Sequence, residues 1–176
     1  MTGIYLLTPL IFEVIDNLKP SWRDELEITD ALDNLLKQNN NIGYETITDY
    51  WKDTGTPEDI LNANRQVLEH ICGTTDAVIA DGSSLDWAGL KRFCIIGKNC
   101  KIDESASIGP NVSIGDDTII SSDVVIENSI IMSGCTINGG LNIKDSIISA
   151  NCHLHGNNKD KTKKIFLLGE GTKISL

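Results

Sequence analysis

An aliphatic residue, most often isoleucine, returns every five or six residues through the second half of this 176-residue chain. The first six positions keep an unbroken six-residue phase, at Ile96, Ile102, Ile108, Ile114, Ile120 and Ile126. The ladder continues through Ile131, Ile137, Ile143, Ile148 and Leu154, and it resumes at Leu168 and Ile174 after a basic loop. This period fits neither the 3.6-residue repeat of a helix nor the alternation of one long strand.

A six-residue period predicts a parallel β-helix of hexapeptide repeats, characteristically left-handed, from about residue 94 onward. Each repeat forms one flat side with its aliphatic residue inside, and the ladder is long enough for about four coils. The residue after each aliphatic one, such as Gly97 or Asp103, is expected at a corner with left-handed backbone geometry. An all-β sandwich with coincidental spacing is the alternative.

Residues 1–72 predict alternating strands and helices, as in an α/β domain. The strands are predicted at 3–7 and 42–48, and the helices at 10–18, at 25–38 and after Thr56. Thr56 is the expected N-cap of the third helix, with Pro57 at its first position and Asp59 three residues after the cap.

This first module is incomplete, because two strands do not make a sheet that helices can cover on both faces. We therefore expect the C-terminal fragment of an α/β domain in residues 1–72, with an N-terminal portion missing. A junction follows in 73–93 and the β-helix occupies 94–176. An independent small domain is the alternative for the first module.

Charge and cysteine content exclude several classes of protein. The net charge of −10 lies almost entirely in residues 1–93 and argues against non-specific nucleic-acid binding, which needs a basic face. Five cysteines without a C-x-x-C pair predict reduced, buried thiols. The sequence has no apolar run of membrane-spanning length and no basic-then-apolar leader, so we predict a cytoplasmic protein without a membrane partner.

Asp53 is the leading candidate for chemistry. It precedes Thr-Gly-Thr and a helix N-terminus, where a carboxylate can bind Mg²⁺ beside phosphate groups. The alternative is that Asp53 stabilises a tight Asp-Thr-Gly turn locally.

Three segments stand in a characteristic order. They are Gly-Ile-Tyr-Leu-Leu-Thr-Pro at 3–9, Leu-Lys-Pro-Ser-Trp-Arg-Asp-Glu-Leu-Glu-Ile-Thr-Asp at 18–30, and Trp-Lys-Asp-Thr-Gly-Thr-Pro-Glu-Asp at 51–59. Together with the ladder they resemble the second half of a sugar-1-phosphate nucleotidylyltransferase, in particular the long form of glucose-1-phosphate thymidylyltransferase. The resemblance implies transfer of a nucleotidyl group from dTTP or UTP to a sugar 1-phosphate, with Mg²⁺ as cofactor and pyrophosphate as product.

The resemblance also implies roles for single residues. Asp53 would be catalytic as one of two metal-binding aspartates. Trp51 and the backbone around Thr2 and Gly3 would flank the sugar, and Arg23 would face the phosphate region.

The departures from this family are equally specific. Asp24 stands where the family usually has glycine, which questions Arg23 as a phosphate ligand. The Gly-x-Gly-Thr-Arg-Leu nucleotide loop, the first metal aspartate and the Glu-Lys-Pro sugar segment are absent from the sequence. Because catalysis in this family depends on positioning phosphates and stabilising their charge, we expect the isolated chain to be inactive.

Two histidines support a rival function. His153 and His155 lie two residues apart and therefore on one side of a strand. Many hexapeptide β-helices are acyltransferases with a catalytic histidine at a trimer interface, so an acyltransferase acting on an amino-sugar phosphate is the alternative enzyme. Cys152 adds only a third potential metal ligand, so we expect surface residues there rather than a zinc site.

A third hypothesis is not enzymatic. The flat sides of a hexapeptide β-helix pack well about a threefold axis, so the β-helix would serve as an oligomerisation module that forms a homotrimer.

Overall fold

A computed structural model describes residues 4–85, 89–157 and 160–176. It divides into two units, Met1–Trp51 and Lys52–Leu176. The helices of the described residues are α1 (Leu10–Asp16), α2 (Ile28–Lys37) and α3 (Pro57–Cys72). The strands are β1 (Ala77–Ile79), β2 (Ser84–Leu85), β3 (Cys94–Ile96), β4 (Lys101–Ile102), β5 (Ser107–Ile108), β6 (Val112–Ile114), β7 (Ile119–Ile120), β8 (Val125–Glu127), β9 (Ser129–Ile131), β10 (Thr136–Asn138), β11 (Asn142–Lys144), β12 (Ile147–Ile148), β13 (His153–His155), β14 (Lys163–Lys164), β15 (Leu167–Leu168) and β16 (Lys173–Ser175).

The first unit is built around a pair of helices. Ile11 and Val14 of α1 form a small buried cluster with Ala31 and Leu35 of α2. Amphipathic spacing explains this pairing, since the buried residues of each helix lie three or four positions apart on one side.

The two strands predicted in this unit are wrong. Residues 4–7 and 40–55 contain neither helix nor strand, and the described part of the unit offers no strand for them to pair with. A strand is stable only when a neighbour accepts its backbone hydrogen bonds, and a hydrophobic alternation alone does not supply one.

The second unit contains a parallel β-solenoid of three sheets, which we number for reference. Sheet 1 has the strand order β1-β3-β6-β9-β12-β15, sheet 2 has the order β16-β13-β10-β7-β4-β2, and sheet 3 has the order β14-β11-β8-β5. Every described strand pair is parallel and in register with the equivalent strand of the next coil. The predicted parallel solenoid is therefore confirmed.

The isoleucine ladder forms the core of this solenoid. Ile96, Ile114 and Ile131 stack in sheet 1, and Ile120 and Ile137 stack in sheet 2, all of them buried. The apolar residues of each coil pack against those of the coils above and below. In this way a chain with few aromatic residues forms a continuous core.

The solenoid begins earlier than the ladder predicted. Strands β1 and β2 pair with β3 and β4, which places Ile79 beside Ile96 and Leu85 beside Ile102. Ile79, Leu85 and Leu90 in fact continue the ladder upstream in steps of five or six residues. The Gly-Ser-Ser sequence between Ile79 and Leu85 is typical of a linker, so these upstream rungs were not predicted. The prediction of about four coils was therefore one coil short.

The corners of the coils follow a different rule from the one predicted. In the described residues, only Gly109 among the positions directly after a rung has a positive φ, and the left-handed residue usually comes three positions after the rung, as at Asn99 and Asp117. Gly97 is needed for another reason, because a Cβ there would lie 2.6 Å from the backbone nitrogen of Asp116 in the next coil.

Helix α3 packs along the outer side of sheet 1, against β1, β3, β6 and β9. Leu61, Leu68 and Cys72 form its buried stripe, and the hydroxyl of Ser113 donates a 2.6 Å hydrogen bond to Oδ1 of Asn64. The helix predicted as part of the first module is thus packed on the solenoid. Its start is as predicted, with Thr56 as N-cap and Pro57 as first residue.

Candidate functional site

Asp53 lies in the irregular segment between α2 and α3, with its side chain exposed. Residues 50–55 contain no hydrogen-bonded turn, so the predicted tight turn at Asp53 is wrong. Its carboxylate makes no hydrogen bond or ion pair with the described residues. The local turn-stabilising role therefore has no hydrogen bond to support it, and the carboxylate oxygens are available to a ligand.

Asp59, six residues after Asp53, has several partners instead. The backbone N–H of Asp59 donates to Oγ1 of Thr56 at 3.2 Å, and the Thr56 hydroxyl donates back to Oδ2 of Asp59 at 2.7 Å. Lys52 lies 2.7 Å from Oδ1 of Asp59, and the hydrogen bonds from Lys52 and then Thr56 lower the pKa of that carboxyl below its ordinary value. Asp59 thus serves the start of α3.

Arg23 lines an open hollow of about 420 Å³ in the first unit. The other lining residues are Ser21, Trp22, Glu27, Thr29 and Asp30. The guanidinium carbon of Arg23 lies 5.1 Å from the Trp22 ring centroid, a cation–π geometry that holds the side chain over the ring.

The backbone explains the unusual residue at position 24. Asp24 has a φ of 62°, in the left-handed region that favours glycine but that aspartate also tolerates. The loop therefore keeps the conformation that a glycine would give, while it gains a carboxylate next to Arg23.

The predicted substrate and metal residues are distributed over both units. Arg23 and the exposed Trp51 belong to the first unit, Trp51 is not among the residues that line the Arg23 hollow, and Asp53 belongs to the second. Thr2 and Gly3 lie outside the described residues.

The described part of the chain contains no group of three or more His, Cys, Asp or Glu side chains placed to hold a metal ion. Magnesium binds through one or two carboxylates and completes its shell with water and phosphate oxygens. Asp53, with its exposed carboxylate, therefore fits one ligand position of such a site.

The histidines lie side by side on the outer side of sheet 2. His153 and His155 are the first and last residues of β13 and both are exposed, while Leu154 between them is buried. They line an open groove of about 270 Å³, together with Thr136, Asn138, Leu154, Lys173, Ile174 and Ser175. We call this the sheet 2 groove.

One hydrogen bond fixes the chemistry of His155. Its Nδ1 lies 2.6 Å from Oδ1 of Asn138, one coil below. With the amide oxygen as acceptor, Nδ1 is the donor of this contact, and in the Nδ1–H tautomer of the neutral ring Nε2 is the remaining acceptor. A histidine held in this way can act as a base towards a bound hydroxyl or amine.

The residues that neighbour these histidines were not identified from sequence, although the spacing of the rungs indicates them. Ile137, Leu154 and Ile174 are rungs of the ladder and stack in register. The residues on either side of each rung must therefore share the outer surface, which would have placed Thr136, Asn138, Lys173 and Ser175 around His153 and His155.

All five cysteines are free and buried, as predicted. Burial raises the pKa of the Cys94 thiol to about 11, and its Sγ lies 3.2 Å from the carbonyl oxygen of Lys91. All five thiols are enclosed, so these cysteines pack the interior of the fold.

Among the described residues, no helix has the length and apolar character needed to cross a membrane.

Two family models match the chain in succession. Residues 1–70 match the nucleotidyl transferase model, and residues 90–175 match the model of the GMPPB C-terminal domain. Only residues 71–89 and the last residue lie outside both matches. The resemblance to a sugar-1-phosphate nucleotidylyltransferase with a C-terminal β-helix is confirmed by this pair of matches in this order.

Curated relatives agree with these models. The low-salt glycan biosynthesis nucleotidyltransferase Agl11 of Haloferax volcanii is 43% identical over 86 residues, covering 49% of this chain and 24% of the relative. The glucose-1-phosphate thymidylyltransferase of Streptomyces griseus is 41% identical over 85 residues, covering 48% and 24%. The bifunctional protein GlmU of Methanococcus aeolicus is 44% identical over 69 residues, covering 39% and 16%. The chain thus matches less than a quarter of the length of each of these relatives.

Proposed function

We propose that this chain is the C-terminal portion of a sugar-1-phosphate nucleotidylyltransferase of the glucose-1-phosphate thymidylyltransferase type. The whole enzyme would join dTTP or UTP to a sugar 1-phosphate and release pyrophosphate. The observation that carries this proposal is the order of the two family matches, nucleotidyl transferase over residues 1–70 and GMPPB C-terminal domain over residues 90–175. The identity to a thymidylyltransferase supports the thymidylyl type.

In this proposal Asp53 supplies one carboxylate to Mg²⁺. Its exposed side chain has no partner among the described residues, so its oxygens are free to bind the ion. Mg²⁺ would neutralise charge on the phosphates. Arg23 would bind phosphate oxygens through its planar guanidinium, while Trp51, Thr2 and Gly3 would flank the sugar.

We propose that the 176-residue chain does not transfer nucleotides by itself. Its sequence contains no Gly-x-Gly-Thr-Arg-Leu loop, and its described part contains no group of three or more His, Cys, Asp or Glu side chains placed to hold a metal ion. A phosphate-binding loop and a metal site are both needed to position a nucleoside triphosphate with its metal.

The experiment compares the chain alone with a chimeric enzyme, which we call the joined protein. In the joined protein, the chain replaces the matching C-terminal part of the Streptomyces griseus thymidylyltransferase, and pyrophosphate release is measured with dTTP, glucose 1-phosphate and Mg²⁺. We expect background release from the chain alone and turnover from the joined protein. A folded but inactive joined protein would contradict the proposed function, and full activity of the chain alone would contradict the proposed dependence on the nucleotide loop.

A second candidate is a hexapeptide-repeat acyltransferase acting on an amino-sugar phosphate. The contact between His155 and Asn138 favours it, because it leaves Nε2 of His155 as a base at the edge of the sheet 2 groove. The test measures CoA release from acetyl-CoA in the presence of an amino-sugar phosphate. Loss of that release in His155→Ala and His153→Ala, with normal folding, would support this candidate, and absence of release from the wild type would exclude it.

We also propose that the solenoid assembles the protein as a homotrimer. Helix α3 covers the outer side of sheet 1 from β1 to β9, so a threefold contact would use sheet 3 and the part of sheet 2 outside the groove. Sedimentation equilibrium at micromolar concentration tests this, since a monomer of 19.2 kDa would contradict it.

The five free thiols suit a reducing compartment, and we place the protein in the cytoplasm on that ground.

A further inference from the structure

The sheet 2 groove contains an ordered array of polar side chains. The register of the strands forms two rows across three coils: Thr136, His153 and Lys173 in the first row, and Asn138, His155 and Ser175 in the second. Neighbouring strands lie about 4.8 Å apart, so each row spans about 10 Å. This is the length of a small ligand.

The first row ends in the positive charge of Lys173, which no described residue neutralises. Lys173 is the direct register partner of His153, and neither side chain makes a hydrogen bond or ion pair with another described residue. The residues that line the groove include no carboxylate. By contrast, Nζ of Lys164 in sheet 3 lies 2.6 Å from Oδ2 of Asp160. The groove is thus a local cationic site on a chain whose net charge is −10.

The second row offers neutral hydrogen-bonding groups. Ser175 carries a hydroxyl, Asn138 carries an amide, and Nε2 of His155 accepts because Nδ1 is held by Asn138. Such groups match the hydroxyls of a small molecule, and a groove of about 270 Å³ lies just below the usual size range of ligand pockets, so only a small ligand would fit.

We propose that the sheet 2 groove binds a phosphomonoester of a small hydroxylated molecule. The phosphate lies between Lys173 and His153, because a phosphate dianion suits a lysine with a second donor beside it better than a single carboxylate does. The hydroxyls contact Asn138, His155 and Ser175. This binding does not depend on nucleotidyl transfer. An amino-sugar phosphate, the substrate class of the acyltransferase candidate, belongs to the same ligand class, and glycerol 3-phosphate, which has no amine to acylate, tests the binding separately from acyl transfer.

Calorimetry on the full 176-residue chain tests the proposal, with glycerol 3-phosphate as the probe. The key variant is Lys173→Met, and the matched control is Lys101→Met, which lies in the same outward row of sheet 2 but outside the groove. Saturable binding is expected for wild type and Lys101→Met. Loss of a charge-assisted hydrogen bond should weaken binding about tenfold or more in Lys173→Met.

Further probes test each half of the groove. Glycerol without phosphate should not bind, and inorganic phosphate should bind more weakly than glycerol 3-phosphate. The imidazole proton signals of His153 and His155 should shift in the nuclear magnetic resonance spectrum as the probe saturates.

The proposal is overturned if glycerol 3-phosphate shows no saturable binding, or if Lys101→Met and Lys173→Met lose affinity equally. Equal affinity for inorganic phosphate and glycerol 3-phosphate would show that Asn138, His155 and Ser175 do not bind the hydroxyls of the ligand. Circular dichroism of each variant establishes that a loss of binding is not a loss of folding.

Discussion

At the scale of single residues, burial separates the side chains that hold the solenoid together from those that face solvent. Ile119 and Ile120 are neighbours in β7, yet Ile120 is 1% exposed and Ile119 is 42% exposed. Ile120→Ala should therefore lower the free energy of unfolding by about 2–5 kcal/mol through lost burial and a cavity. Ile119→Ala should cost about 0.5 kcal/mol or less. Equal losses in urea unfolding would show that the inward phase is misassigned.

Cys94 makes a pH-dependent contribution at the same scale. Burial raises the pKa of its thiol from 9.0 to about 11, so above pH 9 the unfolded chain releases this proton while the folded chain keeps it. Stability therefore falls as pH rises from about 9 to 11, by up to about 1.4 kcal/mol per pH unit. Cys94→Ala lacks this loss, so the stability gap between wild type and variant should narrow over that range. A constant gap in chemical unfolding from pH 8 to 11 would contradict this.

At the scale of elements, the start of α3 rests on one side chain. Thr56 accepts a hydrogen bond from the backbone of Asp59 and donates one to its carboxylate. Thr56→Ala removes both and should lower the free energy of unfolding by about 1 kcal/mol, whereas Thr56→Ser keeps the hydroxyl and should lose much less. Urea unfolding compares the three proteins, and a serine variant as unstable as the alanine variant would rule out the cap as the cause.

Elements with a repeated or local signal were predictable from sequence. The rungs from Ile96 to Ile174 specified the inward side of each strand, and the Thr-Pro-Glu-Asp run specified the start of α3. Residues 42–48 carry a similar alternation but lack a partner strand among the described residues, and sequence does not reveal that absence. The position of Lys173 beside His153 follows from the coil register, which the spacing of the rungs specifies for outward residues as well as for inward ones.

At the scale of the whole molecule, the limits of the family matches differ from the limits of the packed units. The nucleotidyl transferase match runs to residue 70 and includes most of α3, whereas α3 packs on the solenoid. The solenoid with α3 belongs to one compact unit that runs from Lys52 onward. Asp53 belongs to that unit, although its motif is typical of the transferase.

The effect of Asp53 on nucleotidyl transfer tests the proposed function most directly. In the joined protein, Asp53→Asn keeps the size of the side chain but removes the charge that would hold Mg²⁺, while Asp49→Asn changes another exposed acid in the same irregular segment. We predict that Asp53→Asn lowers kcat for pyrophosphate release by about 100-fold or more, since a metal contributes several kcal/mol to transition-state stabilisation. Asp49→Asn should remain close to the unmutated joined protein. Equal activity of the two variants would contradict the assignment of Asp53 as a metal ligand of a nucleotidylyltransferase.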